Sequence, residues 1–461
     1  MPKHLKLINR RLRHAWFTPI SWRRRLAFYG GALIVGLVAV GFAMAADQAQ
    51  QLNQQLFARY PWLPFVMTPT LFALAAWLAT RFSPGSQGSG IPHSIAGRHL
   101  RDSGLGQDLL TARVAFGKIL LTLLGLLAGA SIGREGPTVL VGASIMMVAA
   151  GLAGLKRERG FILAGAAAGI AAAFNTPLAG LVFAIEELAR AYEQRTSGLV
   201  LLAVILAGIV SIATVGYYDY FGRSTVTLDL HNGWLPVIIL GVFCGFLGGL
   251  FARLVLWTSR RLGRWFGKDL LHHPASFAAA CGLVVAVAGY LTHGAVFGTG
   301  YAAARSALEG SGLIDWDFAL AKWVVTAAST ISGIPGGLLA PSLSVGAGIG
   351  SALSSLFVGT PAGSSAMLGM VAYFVGVTQA PITGFVLVME MTGNHSMMVP
   401  LMAATMLGLG TSKLVCRVPL YHGLAMQIIH ARRAAVRAAS AASAAGADAG
   451  DKSAAPPNAS S

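Results

Sequence analysis

One carboxylate, that of Glu135, lies between two long apolar stretches of the chain. It belongs to the segment 133–137, of sequence GREGP, with the apolar run 119–130 before it and the run 139–150 after it. A carboxylate at membrane depth is costly and is therefore a functional candidate whose partners have to be found. The flanking glycines and proline break helices and expose backbone N–H groups. The segment therefore predicts an anion site in which the Glu135 carboxylate is itself one of the competing anions.

The composition indicates that this carboxylate lies in a membrane protein. Of the 461 residues, 55% are hydrophobic and 11% are charged, with a mean hydropathy of +0.65, whereas a soluble domain is nearer a quarter charged. Several apolar runs are shorter than the roughly 20 residues that a single spanning helix needs. The 57 glycines and 19 prolines interrupt many of them. Short, broken, glycine-rich apolar segments are typical of the discontinuous helices of transporters.

The formal net charge of +17 includes a basic N-terminal segment in which no acidic residue precedes Asp47. Beside the first apolar run, such a block predicts a cytoplasmic N-terminus and a headgroup-facing helix around 15–28. A nucleic-acid-binding arm is the competing interpretation and is disfavoured in a membrane context, so no nucleic-acid partner is expected. We expect a multi-pass protein of the inner (plasma) membrane with both termini in the cytoplasm.

Cysteine and histidine spacing predicts no metal site. The cysteines stand singly in apolar stretches and form no C-x-x-C pair, which also argues against a disulfide framework: they are Cys244, Cys281 and Cys416. The His272-His273 pair has no evident third ligand. No cofactor is predicted. The tail 431–461 is Ala, Ser, Gly and Pro with scattered charge and is expected to be disordered.

The chain contains an internal repeat at an offset of 204 residues. GREGP at 133–137 aligns with GLLAP at 337–341, and VGASI at 141–145 aligns with VGAGI at 345–349. The same register pairs Gly165 with Gly369, Pro177 with Pro381, Gly180 with Gly384 and Glu186 with Glu390. Chance drift of Ala and Gly would not align prolines and glutamates, so a duplication is the favoured interpretation. Upstream, GSG at 88–90 resembles GTG at 298–300 at an offset of 210.

A duplication of this kind places the substrate site near the bilayer midplane, between the repeats. The sequence alone leaves open whether the repeats are parallel or inverted. Each break exposes helix-end N–H groups that carry about half a positive charge. Converging helix N-termini hold an anion without a formal cation, and partial charges allow it to leave as well as to enter.

Two further elements offer hydroxyl donors to such an anion. Ser89 lies in GSGIP at 88–92, and Tyr421 follows the last apolar run. Taken alone, GSGIP is a loop and Tyr421 is a tyrosine of the interfacial belt.

Together these elements resemble the CLC family of chloride channels and chloride/proton antiporters. The resemblance runs from about Arg24 to Met426, and the stretch 164–188 also resembles the long inner helix of the family. It implies an all-α polytopic membrane fold of many tilted and broken helices in two inverted halves, without CBS domains. The expected organisation is a basic segment at 1–28, a first repeat at 29–222, a second repeat at 223–430 and the tail at 431–461.

The resemblance also implies roles for individual residues. Glu135 resembles the gating glutamate, which occupies an anion position and leaves it on protonation. The hydroxyls of Ser89 and Tyr421 and the N–H groups of Leu338 and Leu339 would bind a central chloride, and the backbone around Arg134–Gly136 would form an outer site. The chloride-binding set implied is Ser89, Gly90, Ile91, Arg134, Gly136, Leu338, Leu339 and Tyr421.

The pair Glu186-Glu187 resembles one whose second member takes protons from the cytoplasm in antiporters. Adjacent helical residues lie about 100° apart, so only one of them can face a given pathway. Glu187 is assigned to proton transfer and Glu186 to a structural role, because Glu186 aligns with Glu390 and Glu187 with Met391. Lys118 resembles a family lysine whose field favours anions; a loop or snorkelling lysine is the alternative.

One position departs from the family pattern, which usually has phenylalanine where this chain has Leu339. The backbone N–H is unaffected, so chloride binding is expected to survive, while the missing ring bears on how tightly transport is coupled. Ser89 favours chloride, since proline there would suggest nitrate. GREGP together with Tyr421 argues against the fluoride-exporting branch.

The favoured function is chloride/proton exchange by a homodimer with one pathway per subunit, and chloride and protons are the expected partners besides the lipid bilayer. A passive chloride channel on the same fold is the alternative, against which the acidic Glu187 argues. A membrane enzyme is disfavoured, because the sequence has no paired nucleophile and base, no H-E-x-x-H and no cofactor loop.

Overall fold

A computed structural model describes residues 19–103, 105–155, 159–189, 197–216, 219–228, 233–265, 274–310 and 314–453. Within these ranges the chain is helical, with isolated bridges but no strand. The helices of the first half are α1 (Pro19–Arg59), α2 (Pro64–Arg81), α3 (Ile91–His99), α4 (Ala112–Leu127), α5 (Glu135–Leu152), α6 (Arg159–Phe174), α7 (Pro177–Phe183) and α8 (Ser197–Val215). Those of the second half are α9 (Trp234–Trp265), α10 (Pro274–Leu291), α11 (Tyr301–Glu309), α12 (Trp316–Ile331), α13 (Leu339–Leu353), α14 (Ala362–Thr378), α15 (Pro381–Thr392), α16 (Met398–Val415) and α17 (Leu420–Ser453).

Several helices are long and apolar enough to cross a membrane; in the described ranges these are α1, α5, α9, α10, α13 and α16. The most apolar stretches of these helices are buried to different extents. In α5 and α13, 72% and 78% of the stretch lie inside the protein, whereas the share is 33% in α10 and α16. Backbone that ends at membrane depth is tolerated only where protein surrounds it. The two helices that begin at the glycine–proline breaks are therefore the enclosed ones. The predicted all-α polytopic architecture is confirmed.

The helix boundaries repeat in the register that the sequence predicts. Helices α4 and α12 begin and end 204 residues apart, and α7 and α15 begin at Pro177 and Pro381. Helices α2 and α10, like α3 and α11, are offset by 210 residues at both ends. Asn175 and Gln379, 204 residues apart, both take a left-handed backbone, with φ of 57° and 59°. The duplication therefore extends to the backbone conformation of single residues.

The two halves exchange equivalent contacts. Glu186, after α7, accepts hydrogen bonds from the backbone N–H groups of Ile382 (3.1 Å) and Thr383 (2.6 Å) at the start of α15. Glu390, in α15, accepts them from Leu178 (3.2 Å) and Ala179 (2.8 Å) at the start of α7. Reciprocal contacts of this kind follow from an approximate two-fold axis. They also provide acceptors for backbone N–H groups at the beginning of each helix, which have no partner within the helix.

Glycines let the central helices of each half cross closely. A Cβ added to Gly142 of α5 would lie 2.2 Å from the Gly165 carbonyl oxygen of α6, and one added to Gly346 of α13 would lie 2.4 Å from that of Gly369 in α14. Small residues at helix crossings bring backbones together where the bilayer offers little hydrophobic driving force. These crossings hold the N-terminal ends of α5 and α13 in place.

Two local expectations differ from the structure. The tail expected to be disordered from 431 continues α17 as far as Ser453, because its alanines favour a helix; residues 454–461 lie outside the described ranges. The Glu186-Glu187 pair lies in a π-helical turn, Ala184–Ala189, and not in a regular α-helix. Such turns occur often at functional sites.

Candidate anion and proton site

The three glycine-containing breaks meet at one place. The Gly133 N–H donates to the Gly337 carbonyl oxygen (2.7 Å), and the Gly337 N–H donates back to Gly133 (2.8 Å). The Gly336 N–H donates to the carbonyl oxygen of Gly88 (3.0 Å). A Cβ added to Gly337 would lie 2.9 Å from the Gly136 nitrogen and 3.0 Å from the Gly133 oxygen. The backbones approach so closely here that a side chain would separate them.

Helices begin around this junction without side-chain caps. The caps of α3, α5 and α13, all among the described residues, are Gly90, Arg134 and Leu338, and none of these side chains accepts a hydrogen bond from its helix. Their first-turn N–H groups therefore have no capping side chain, although the Glu135 carboxylate interacts with its own backbone N–H, and the helix dipole makes the region positive. Ile91, Leu338 and Leu339 are at most 2% exposed. The N-terminal ends of the three helices therefore bring the backbones of segments 88–92, 133–137 and 337–341 into one enclosed region.

Two buried hydroxyls border the same region. The Ser89 side chain lies against the start of α5, where a Cβ added to Gly136 would be 2.5 Å from the Ser89 Oγ. Tyr421, at the start of α17, is fully buried and faces Ser89. The two side chains interact with each other, but neither hydroxyl oxygen has a partner with full hydrogen-bond geometry among the described residues. A buried hydroxyl without a partner is costly, and an anion that accepts from both would remove that cost.

Glu135 is fully buried at the first position of α5. Its Oε1 accepts from the hydroxyl of Tyr220 at 3.5 Å, and its Oε2 has no partner among the described residues. The carboxylate folds back over Gly133, where an added Cβ would lie 2.1 Å from the Oε2. The carboxylate is therefore at the paired glycines, where the anion is also expected.

Arg134 directs its guanidinium away from this junction. Its Nη1 donates to the carbonyl oxygen of Ala43 (2.7 Å) and to the Oδ1 of Asp47 (2.5 Å), both on α1. Arg134 and Tyr220 also line a cavity of about 480 Å³ together with Asp47, Gln50, Thr299 and Tyr301. We call this cavity the vestibule. Arg134 thus offers its backbone to the junction and its charge to the vestibule.

The tandem glutamates separate in space. Glu186 caps α15, as described above, whereas Glu187 is 2% exposed and lies within electrostatic range of Tyr421. Tyr421 also interacts electrostatically with Glu135. The geometry thus gives Glu186 a structural contact and brings Glu187 near the hydroxyl donor; the proton-transfer role of Glu187 stays a prediction.

Lys118 is fully buried, so it is neither a surface loop lysine nor a snorkelling one. Its Nζ donates to the carbonyl oxygens of Ser86 (2.7 Å) and Gly88. Lys322, which sequence reasoning missed, is also fully buried and donates to Val296 (2.8 Å) and Gly298 (2.7 Å). Lys118 and Lys322 are 204 residues apart, so the repeat register contained the signal that identifies the second lysine.

Tyr220 and Asp47 were also missed, and no sequence signal points to them. Tyr220 contacts Glu135 across 85 residues and Asp47 contacts Arg134 across 87. The described residues contain no group of His, Cys, Asp and Glu side chains arranged to hold a metal ion.

Comparisons with known proteins show which proteins the chain resembles. A family model described as voltage gated chloride channel matches residues 71–413. A protein of Yersinia pestis bv. Antiqua (strain Angola), named H(+)/Cl(-) exchange transporter ClcA, is 31% identical over 409 residues, covering 82% of this chain and 81% of that protein. A protein of the same name from Yersinia pseudotuberculosis serotype IB (strain PB1/+) gives the same identity and coverage.

Solved structures give the same result for the fold. The crystal structure of a slow cyanobacterial Cl-/H+ antiporter matches with a TM-score of 0.74 and 27% identity, covering 88% of this chain and 98% of that one. A eukaryotic CLC transporter matches with a TM-score of 0.72 and 23% identity over 88% of this chain and 75% of that one, which bears on the fold alone.

Proposed function

The chain belongs to the voltage-gated chloride channel family, and we propose that it is a secondary active transporter that exchanges chloride for protons across the membrane. The observation that carries the proposal is the junction itself. Uncapped helix ends and the buried hydroxyls of Ser89 and Tyr421, which lack a partner with full hydrogen-bond geometry, border the place where the buried Glu135 carboxylate lies. The named exchangers among the relatives favour exchange over the passive channel.

The chloride site is assigned to the hydroxyls of Ser89 and Tyr421 and the first-turn N–H groups of α3, α5 and α13. Partial charges on N–H groups bind an anion without holding it as tightly as a buried lysine would. The buried lysines support this division of roles, because their ammonium groups are occupied by loop carbonyls.

The proton route is assigned to Glu135 and Glu187. The Glu135 carboxylate competes with chloride for the N–H groups at the start of α5. When chloride displaces it, the side chain moves toward the vestibule, takes a proton and stops competing as an anion. Glu187 exchanges protons with the cytoplasm. Because one side chain alternates with chloride at one place, movement of the two ions is coupled.

The assembly and the location are also proposed: a homodimer in the inner membrane, with both termini cytoplasmic. The basic residues Arg23, Arg24 and Arg25 at the start of α1 support a cytoplasmic N-terminus. The expected repeats, 29–222 and 223–430, are supported by the matching helix boundaries.

Purified protein in proteoliposomes tests the function. An imposed chloride gradient is expected to drive protons against their own gradient, and the reversal potential is expected to depend on both ions. Chloride flux with no uphill proton movement would identify the passive channel instead.

A further inference from the structure

Tyr220 lies between the vestibule and the gating carboxylate. The residue is 4% exposed, it lines the vestibule, and its hydroxyl donates to the Glu135 Oε1 at 3.5 Å. Phenol groups favour the charged form of a carboxylate to which they donate. Tyr220 is therefore placed to act on Glu135 from the vestibule side.

The surroundings of Tyr220 fix the direction of its ring. It packs edge-on against Phe174 (5.4 Å between ring centroids), Phe221 (5.0 Å) and Tyr301 (5.2 Å). The next residue, Phe221, donates its backbone N–H to the carbonyl oxygen of Met391 at 3.0 Å. Edge-to-face packing on several sides leaves the ring little freedom, so the hydroxyl is held at the carboxylate.

We propose that Tyr220 is a positioning residue for the Glu135 gate, an inference that rests on the proposed exchange function. The Tyr220 hydroxyl stabilises the ionised carboxylate on the vestibule side of the junction. It thereby sets the external pH at which Glu135 takes a proton and the ease with which the side chain leaves this position.

Charged and titratable groups around Glu135 come from several elements. Arg134 precedes it on α5, Asp47 reaches the vestibule from α1, and Tyr421 approaches from α17. The Arg134 guanidinium is engaged by Asp47 and the Ala43 carbonyl oxygen. Tyr220 is the neighbour whose hydroxyl contacts the carboxylate directly, so Tyr220→Phe removes this donor and leaves the charged side chains of Arg134 and Asp47 in place.

The test is Tyr220→Phe in proteoliposomes, with turnover measured against external pH and the coupling ratio taken from the reversal potential. The variant keeps the ring and loses the donor. The ratio is expected to stay at the wild-type value, while the pH of half-maximal turnover rises by about 0.4 unit, the lower end of what one lost hydrogen bond gives, because the contact is long at 3.5 Å. Without its donor the carboxylate takes a proton more readily, and turnover therefore begins at higher pH.

Tyr301→Phe is the matched control, because Tyr301 belongs to the same aromatic cluster but its hydroxyl contacts Arg305 (3.3 Å). It should keep the wild-type profile. In a Glu135→Gln background, Tyr220→Phe should leave the pH profile unchanged. A wild-type profile for Tyr220→Phe, or an equal shift in both tyrosine variants, would overturn the inference. Failure of the exchange function itself would be recognised separately, by the absence of uphill proton movement in the wild type.

Discussion

The segments 133–137 and 337–341 have the same backbone and different chemistry. Each begins with the glycine that pairs with the other and ends with the proline in the first turn of a helix. The position of Glu135 in the first segment is that of Leu339 in the second. The backbone proposed to bind an anion is thus present twice, whereas the carboxylate proposed to compete with the anion is present once.

The same contrast separates the other polar residues of the two halves. Lys118 and Lys322 both bind loop carbonyls, and Glu186 and Glu390 cap each other's helices. Glu187, in contrast, aligns with Met391. Among these residues, the pairs present in both halves make structural contacts, whereas Glu135 and Glu187, each present in one half, are the ones assigned to proton transfer. The predictions below test this distinction.

The largest effect is expected for Glu135→Gln. A neutral amide cannot carry the proton, so proton movement should fall to background while chloride flux continues. The measurement is simultaneous chloride efflux and proton uptake in proteoliposomes. Proton movement that stays coupled to chloride in this variant would show that Glu135, which has no counterpart in the second half, is not the gate.

Glu187→Gln should also abolish proton movement and spare chloride flux, because the acid assigned to proton exchange with the cytoplasm is lost. Met391→Leu, at the aligned position of the second half, is the control and should behave as wild type. If Glu187→Gln kept full proton movement, the proton role would pass to Glu186 or to another acid.

Lys118 and Lys322 test the prediction that residues present in both halves have structural roles. Lys118→Met and Lys322→Met each leave buried carbonyl oxygens without a donor and should each destabilise the protein by about 1–3 kcal/mol. The loss should be similar for both, as judged by thermal unfolding in detergent, and the coupling ratio should not change. Chloride affinity that falls for Lys118→Met alone would show that the field of this lysine acts on the anion.

The smallest effect is expected for Glu186→Gln and Glu390→Gln. Each amide keeps an acceptor oxygen but loses the charge that assists the hydrogen bonds to the helix N–H groups, so a loss of about 1 kcal/mol in the free energy of unfolding is expected. Thermal unfolding should give similar shifts for the two variants. A changed coupling ratio in Glu186→Gln alone would place Glu186 on the proton route.

Much of the fold could be predicted because the duplication is visible in glycines and prolines, which determine the backbone conformation. The glycines and prolines of the breaks gave the register, and the helix boundaries follow it. The same register could also have identified Lys322, because it aligns with Lys118. Tyr220 and the Asp47–Arg134 pair could not be identified in this way, because their contacts depend on how α1 and the segment after α8 pack against α5. The alanine-rich end of α17 was misjudged because its helix propensity outweighs its low apolar content.

The central claim is that chloride and the Glu135 carboxylate occupy the same backbone N–H groups. Anomalous scattering from bromide in crystals of the wild type and of Glu135→Ala tests it most directly. The account predicts a bromide peak beside Gly133 and the start of α5 that is present in the variant and absent from the wild type while the carboxylate lies there. Bromide in the same positions in both proteins, with none beside Gly133, would contradict it.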